Sequence, residues 1–492
     1  MARRKNHGRR YCKTARICSA LCSCKENEMC IAARALITAT LTVAHLLALH
    51  SVTDAGEPTP PPTSASSQSP SDKDQNDPQA AAAPPQAAKP QPAEQDFWTR
   101  EEMTGNWGGT RSRWKEKGFA IDLRLTQFFQ GVADGGIETG SEYNGKFQTG
   151  FKFDFGKLAG WKFWSAELKT ETRFGGPFLT GTGTISPVNT AEIVPGADGT
   201  VFAITALNVT KLFPINLGKG DFIAISGGRY NLLDLLDEQF FAGAGTQRFF
   251  NLAQIGPMTV LRQVPLITNS VSFAYIRRGE PFITFALLDP NDHSTDPGLS
   301  DLFADGVTFF PAINFPSKFF GKTGKHTFGT AITTKAYTPF DDIRQIVLPG
   351  PSINPIEPKR GSWSANYVAR QYLVERGSKD GWGVFAQLAF ADNTTSPITK
   401  YFDVGLGGNG LFTSRPRDEF GIAYAYTDLS DVLRDNLPLT IGRLRVEHQV
   451  EMFYNFHVTP WLRLTGDLQI IRPTRPVAET AIIPGLRWEV VF

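Results

Sequence analysis

Long stretches of the chain alternate between apolar and polar residues, which is the pattern of a β-strand with one apolar and one polar face. In RLRVEHQVEMFYNFHV, residues 443–458, the odd positions are mostly polar, whereas the even positions are mostly Leu, Val, Met, Tyr and Phe. A strand of this length would measure about 50 Å at roughly 3.4 Å per residue, whereas globular strands usually have about five or six residues. The pattern therefore predicts a sheet taller than that of an ordinary globular domain.

The same alternation recurs along most of the chain. It is clear in KFQTGFKFDF (146–155), WSAELKTETRF (164–174), DEFGIAYAYTD (418–428) and WLRLTGDLQI (461–470). Clusters of Gly, Pro, Asn and Asp separate these runs and indicate turns. One short helix is predicted at 110–117, after a Gly-Gly turn and before Gly118. We therefore expect an all-β fold.

The two faces of the predicted strands differ in a way that indicates a membrane protein. The polar faces carry dense charge of both signs, and the opposite faces are rich in Phe, Tyr and Trp. In a membrane barrel the apolar side chains face lipid and the charged ones line a water-filled lumen. Only helices and closed barrels can cross lipid, because unpaired backbone groups in hydrocarbon cost several kcal/mol. We therefore predict a transmembrane antiparallel β-barrel.

Strand parity selects charged residues that would line the lumen. Charges of both signs suit a neutral polyol, because they offer hydrogen-bond donors and acceptors without a large field of one sign. The alternative is that these side chains only hydrate a wide lumen and pair with their neighbours. The candidates are Glu167, Lys169, Glu171, Arg173, Arg443, Arg445, Glu447 and Glu451.

The first 55 residues differ from the rest of the chain. They carry nine Lys or Arg and three Asp or Glu, all five cysteines, and an apolar run of fifteen residues at 35–49. A basic leader before a short apolar run indicates a secretory signal peptide, with cleavage expected near Ala55. Initiation at Met29 is an alternative. The cysteines lack the paired spacing of a zinc site.

A linker and a short helical segment are predicted before the barrel. Residues 56–95 contain ten prolines and no Leu, Ile, Val, Phe, Tyr or Trp. Such a segment cannot bury enough apolar surface to fold, so we expect a disordered spacer. An alternative is an arm that tethers the barrel to the cell wall or to a partner. We expect residues 96–118 to form a short helical periplasmic segment and residues 119–492 to form the barrel.

The chain ends in LRWEVVF, another amphipathic strand. Leu486, Trp488, Val490 and Phe492 share one face, and Arg487 and Glu489 lie on the other. A terminal Phe on such a strand is typical of bacterial outer-membrane barrels, in which the assembly machinery recognises it. We therefore expect an outer-membrane location, with lipid and this machinery as partners.

Three segments resemble the carbohydrate-selective porin family of the OprB type. They are TGNWGGTRSRWKEKGFAIDL (104–123), GGRYNLLDLLD (227–237) and EMFYNFHVTPWLRLTGDLQIIRPTRP (451–476). The resemblance implies sixteen strands, short periplasmic turns, outer loops that fold inward, and passive diffusion that favours small sugars. The 374 residues from Phe119 onward allow about 23 for each strand and its connection. Within the second segment Arg229 and Asp234 are further site candidates, with fixing of an inward loop as the alternative role.

No motif in the chain indicates an enzyme. The sequence has no G-x-S-x-G, H-E-x-x-H or phosphate-binding loop. Glu167 and Glu171 would lie roughly 13 Å apart on a strand, which is too far for a glycosidase pair. We expect no catalysis, no cofactor, no metal and no nucleic-acid partner. A general-diffusion or anion-tolerant porin, or a barrel with a tethering role, remains the alternative.

Overall fold

A computed structural model describes residues 96–176, 180–196, 199–236, 240–343, 356–437 and 442–492. The predicted signal peptide (1–55) and linker (56–95) lie outside these residues. The described strands are β1 (Phe119–Val132), β2 (Asp134–Gly136), β3 (Gly140–Asp154), β4 (Trp164–Gly175), β5 (Val201–Asn216), β6 (Asp221–Asn231), β7 (Ile267–Arg277), β8 (Glu280–Leu288), β9 (Thr308–Phe319), β10 (Lys322–Tyr337), β11 (Lys359–Gly377), β12 (Asp380–Ala391), β13 (Ile398–Asn409), β14 (Glu419–Leu429), β15 (Glu447–Thr459), β16 (Leu462–Arg472) and β17 (Glu479–Val491).

The strands form one closed antiparallel barrel. Each strand from β3 to β17 pairs with the next, and β1 closes the sheet by pairing with both β3 and β17. The three-residue β2 continues β1 past Ala133 and also pairs with β17. Counting β1 and β2 as one, the described part of the chain contains sixteen barrel strands. The predicted fold class and strand number are confirmed.

Connections alternate between short turns and long segments around the barrel. β7 and β8 are joined by Arg278 and Gly279 alone, both at positive φ (55° and 81°), as a two-residue hairpin turn requires. Long connections, such as that between β8 and β9, leave from the opposite end. In outer-membrane barrels the short turns are periplasmic and the long loops extracellular.

The described residues also form short 3-10 helices in the connections and three short α-helices: α1 (Thr110–Glu116), α2 (Phe155–Ala159) and α3 (Asp431–Asn436). The helix predicted at 110–117 corresponds to α1. Arg111 on α1 donates to the backbone oxygen of Phe492, so α1 lies at the end of the barrel that holds the C-terminus. Phe155 was expected in a strand but opens α2, where Asp154 caps the helix with its side chain. None of the described helices is long and apolar enough to cross a membrane.

The apolar faces of the strands look outward, as predicted. In β15 the side chains of Glu447 and Glu451 are 0% and 1% exposed, whereas Met452 is 37% exposed. In β17 Arg487 is buried and its neighbour Leu486 is exposed. The charged faces therefore point into the barrel and the apolar faces point to its surroundings.

One long connection fills part of the lumen. Between β6 and β7, residues 232–236 and 240–266, here called the plug, fold into the barrel and bury many apolar side chains. Phe241 stacks on Phe385 with centroids 4.6 Å apart, and Phe249 meets Phe453 edge-on at 4.8 Å. The inward folding of loops implied by the family resemblance is present, and the plug occupies part of the lumen. In strands β9–β15, apolar residues face the lumen and pack against the plug.

Candidate functional site

A cluster of charged residues joins the barrel wall to the plug. Lys169 on β4 lies between Glu171 on its own strand and Asp234 on the plug, with Nζ–O distances of 2.9 and 2.5 Å. Lys146 on β3 contacts the other oxygen of Glu171 at 3.0 Å. Three of the predicted site residues, Lys169, Glu171 and Asp234, therefore come together.

Solvent access differs within this cluster. Glu171 is 1% exposed and also accepts hydrogen bonds from Gln148 (2.9 Å) and Asn231 (3.3 Å). The side chains of Lys169 and Asp234 are 15% and 31% exposed. Lys169 and Asp234 are thus the members that a solute in the lumen can reach, whereas Glu171 holds Lys169 in place.

Glu167 lies two residues before Lys169 on the same inner face of β4. It is partly exposed and sits opposite Lys152 in the register of β3 and β4. The side chain of Glu167 therefore lies on the inner face that strand parity predicts, and it is partly exposed there.

A second charged cluster lies at the end of the barrel that carries the short turns. Glu489 contacts Arg124 at 3.2 Å and Arg463 at 2.8 Å, and Glu419 contacts Arg463 at 3.1 Å and Arg248 at 3.3 Å. None of these residues was among the site residues predicted from the sequence. Strand parity could have indicated Glu489 and Arg463, but nothing in the sequence places Arg248 of the plug beside them.

Glu447 and Glu451 point inward, as predicted, but they do not face open lumen. Glu447 accepts hydrogen bonds from the backbone N–H groups of Ile185 (2.9 Å) and Ser186 (3.1 Å). Glu451 accepts from the backbone N–H groups of Phe250 and Asn251. Both carboxylates therefore bind inward-folded segments to the wall, because the orphan backbone donors of those segments need acceptors.

Two arginines have the same role. Arg487 donates to the carbonyl oxygens of Gly245, Gln247 and Arg248 at 2.7–2.9 Å. Arg229, selected from the family-like segment, donates to the carbonyls of Ile204, His293 and Asp296. Its contacts are those of the alternative role, in which Arg229 fixes a loop.

Arg173 binds the connection between β4 and β5. Its Nε donates to the carbonyl of Pro195 at 3.2 Å, and its guanidinium lies 3.9 Å from Glu192. Burial raises the pKa of the Glu192 carboxyl to about 7, although the nearby Lys146 and Arg173 oppose this rise. Arg173 therefore points inward, as predicted, and lies against an inward-folded segment.

The parity argument was wrong for Arg443 and Arg445. β15 begins at Glu447, so residues 442–446 precede the strand and their side chains do not follow its alternation. Arg443 is 79% exposed, and Arg445 donates to the carbonyls of Arg475 and Ala478. Both line a cleft on the outer surface of the barrel instead of the lumen.

The inner wall can therefore offer hydrogen bonds to a polar solute at the accessible residues of the first cluster. No group of three or more His, Cys, Asp or Glu within the described ranges could hold a metal ion.

Comparison with known proteins is consistent with this architecture. A family model described as "Carbohydrate-selective porin, OprB family" matches residues 138–492. Porin B of Pseudomonas aeruginosa is 24% identical over 428 residues, which cover 79% of this chain and 91% of that protein. The high-pH structure of Pseudomonas putida OprB superposes with a TM-score of 0.67 at 20% identity, covering 81% of this chain and all of that one. The family match extends over more than half of the sequence, and the chain belongs to the OprB family of carbohydrate-selective porins.

Proposed function

We propose that sugars pass along the charged side of the lumen, close to Glu167, Lys169 and Asp234. Membership of the family makes the protein an outer-membrane porin that favours carbohydrates, which confirms the expected function and location. The route is supported by the placement of the plug, because the wall residues of the apolar cluster come from β6–β15, whereas Glu167 and Lys169 lie on β4.

The observation that carries this proposal is the partly exposed Lys169–Asp234 pair. An ammonium group and a carboxylate side by side offer donors and acceptors that can replace the water around sugar hydroxyls. Because their charges cancel, the pair adds no large field of one sign. Lys169 and Asp234 already bond to each other, and Lys169 also contacts Glu171. A sugar therefore binds to the pair weakly enough to be released.

Liposome swelling tests this route. Lys169→Gln should raise the sugar concentration at half-saturation by at least about tenfold, because a hydrogen bond to a charged group contributes roughly 1.5–3 kcal/mol. Lys157→Gln, in the exposed turn helix α2, is the matched control and should leave swelling unchanged. Equal half-saturation for both variants and the parent protein would place the sugar route elsewhere.

We also propose that transport involves no covalent chemistry. The family and fold are those of a channel. Of the two acids weighed as a catalytic pair, Glu171 is only 1% exposed and contacts two lysines and two amides, so its carboxylate is not accessible to a substrate. Mass spectrometry of sugars recovered after passage should show unchanged molecules, and cleaved glycosides would contradict this proposal.

Two alternatives to sugar preference have direct tests. Reversal potentials in a salt gradient would show whether anions pass, since an anion-tolerant pore shifts the reversal potential toward the equilibrium potential of the anion.

Deletion of residues 56–95 tests the tethering role, because a spacer can be removed without loss of envelope integrity.

The C-terminal Phe492 is proposed as the contact for the assembly machinery. Its N–H donates to the carbonyl of Leu123 at 2.9 Å, where β1 meets β17. Deleting Phe492 should lower the amount of folded protein in the outer membrane several-fold, and Phe492→Tyr, which keeps the ring, should retain most of it. Normal assembly of the deletion variant would refute the role.

A further inference from the structure

A basic cleft opens on the outside of the barrel, at the end that carries the long loops. It has a volume of about 360 Å³ and is lined by Arg434, Arg443, Leu444, Arg445, Val446, His448 and Arg472. Four of these seven residues are arginines and none is acidic. The neighbouring residues 438–441, which the structure does not describe, have the sequence PLTI and add no charge.

The cleft looks away from the lumen. Arg472 at the end of β16 is paired in register with His448 on β15. Both belong to the outward face, on which Met452 and Ile470 are 37% and 39% exposed, whereas the adjacent Ile471 is fully buried. The side of the cleft formed by His448 and Arg472 therefore faces the membrane and its boundary.

Aromatic residues mark the height of the cleft in the membrane. The hydroxyl of Tyr424 lies 2.8 Å from Nδ1 of His448, and the Tyr426 ring is 5.6 Å from the His448 ring, centroid to centroid. Bands of Tyr and Trp on membrane barrels lie at the level of the lipid headgroups. Arg472 lies beside this band, and Arg443 and Arg445 lie beyond it toward the long loops.

The arginines of the cleft differ in how far they are neutralised. Arg434 pairs with Asp428 and Asp431. Arg443 has a single distant contact, with the exposed Asp435 at 3.8 Å.

Neither of the other two arginines pairs with a carboxylate of the described residues. Arg445 donates to two backbone carbonyls, and its buried Nε has no partner among the described residues. For Arg472, the described residues provide neither a hydrogen bond nor an ion pair. The guanidinium groups of Arg443 and Arg472 are thus left to attract an anion, with the positive charge of Arg445 beside them.

We propose that this cleft binds the phosphate-bearing headgroup of a glycolipid in the outer leaflet. Guanidinium groups bind phosphate oxygens through two parallel hydrogen bonds, which a compact ammonium cannot do. Val446 gives the cleft an apolar side chain for the lipid side of the headgroup, whereas Leu444 also packs against the apolar cluster inside the barrel. This inference depends on the orientation of the barrel in the membrane and is independent of the route taken by sugars.

Native mass spectrometry of the full-length protein in detergent tests the proposal, with a bisphosphorylated lipid A as the probe. Each arginine near an anionic lipid surface should contribute about fivefold to binding. The double variant Arg443→Gln with Arg472→Gln should therefore bind roughly 25-fold more weakly than the parent protein. Arg360→Gln, an exposed arginine at the same end of the barrel on β11, should bind like the parent.

Three results would overturn the proposal. They are equal binding by the double variant and the parent, equal binding of dephosphorylated lipid A, and a protein oligomer in lipid-free detergent that the double variant loses. Full release of the lipid by inorganic phosphate alone would assign a free-anion site instead. If the double variant fails to form the barrel, Arg472→Gln alone can be used, because the Arg472 side chain has no described hydrogen bond or ion pair to lose. This single variant should bind lipid A about fivefold more weakly than the parent protein. Parent-like binding would overturn the proposal.

Discussion

At the scale of single residues, inward-facing charges have two distinct roles in this barrel. Glu447 and Glu451 bind backbone N–H groups of inward-folded segments, and Arg487 binds backbone carbonyls. Lys169 and Asp234 keep part of their surface open to the lumen. Strand parity predicts the inward direction of a side chain on a strand, but it carries no information about which loop will cover that side chain.

The loss of Arg487 should destabilise the folded barrel. Arg487→Met leaves the carbonyls of Gly245, Gln247 and Arg248 without their shared donor, at an expected cost of about 2–4 kcal/mol in the free energy of unfolding. Urea unfolding followed by tryptophan fluorescence measures this change. Lys157→Gln removes an exposed i,i+3 ion pair with Asp154 and should cost less than about 1 kcal/mol. Similar losses for both variants would refute the anchoring role.

Glu192 should make stability depend on pH. Because burial raises the pKa of this carboxyl to about 7, the folded state holds its proton more tightly than the unfolded chain does. This stabilisation is complete below about pH 4.5 and is lost as the pH rises through 7.

The variant Glu192→Gln isolates this effect. Relative to the parent protein, it should gain about 1–3 kcal/mol in the free energy of unfolding between pH 5 and pH 8. Glu138→Gln, an exposed acid near the same end of the barrel, is the control and should follow the parent. A parallel pH dependence in Glu192→Gln and the parent would contradict the assignment.

At the scale of elements, the strands were predictable and the plug was not. Alternation in segments such as 164–174 identifies strands because the pleat sends neighbouring side chains to opposite faces. The plug has no such period: its Phe241 and Phe249 find partners on β12 and β15, more than a hundred residues away. Residues 442–446 continue the alternation of β15 without strand pairing, and for that reason parity misplaced Arg443 and Arg445.

The plug should limit the width of the pore. Replacing residues 240–258 with a short Gly-Ser linker removes the aromatic side chains that pack against β9–β15, so we expect a higher single-channel conductance and weaker discrimination among sugars by size. Closure of the sheet through β1 and β17 does not involve the plug, so the barrel should still form. A variant with folded barrels but unchanged conductance would show that the plug does not restrict the path.

At the scale of the whole molecule, the charged inner faces and apolar outer faces fit one environment. A closed sheet satisfies every strand's backbone groups within lipid, and this requirement made the barrel predictable from amphipathic strands alone. The location of the solute path required the folded structure, since it depends on which part of the lumen the plug occupies. We infer that the part of the lumen that the plug leaves open binds sugars.

Single-channel conductance of the refolded protein in a planar bilayer, with increasing neutral sugar, tests this claim most directly. We expect stepwise openings that sugars reduce in a saturable and size-dependent manner, with the effect weakened in Lys169→Gln. Openings that are indifferent to sugar would contradict a sugar-binding lumen and leave a general-diffusion pore.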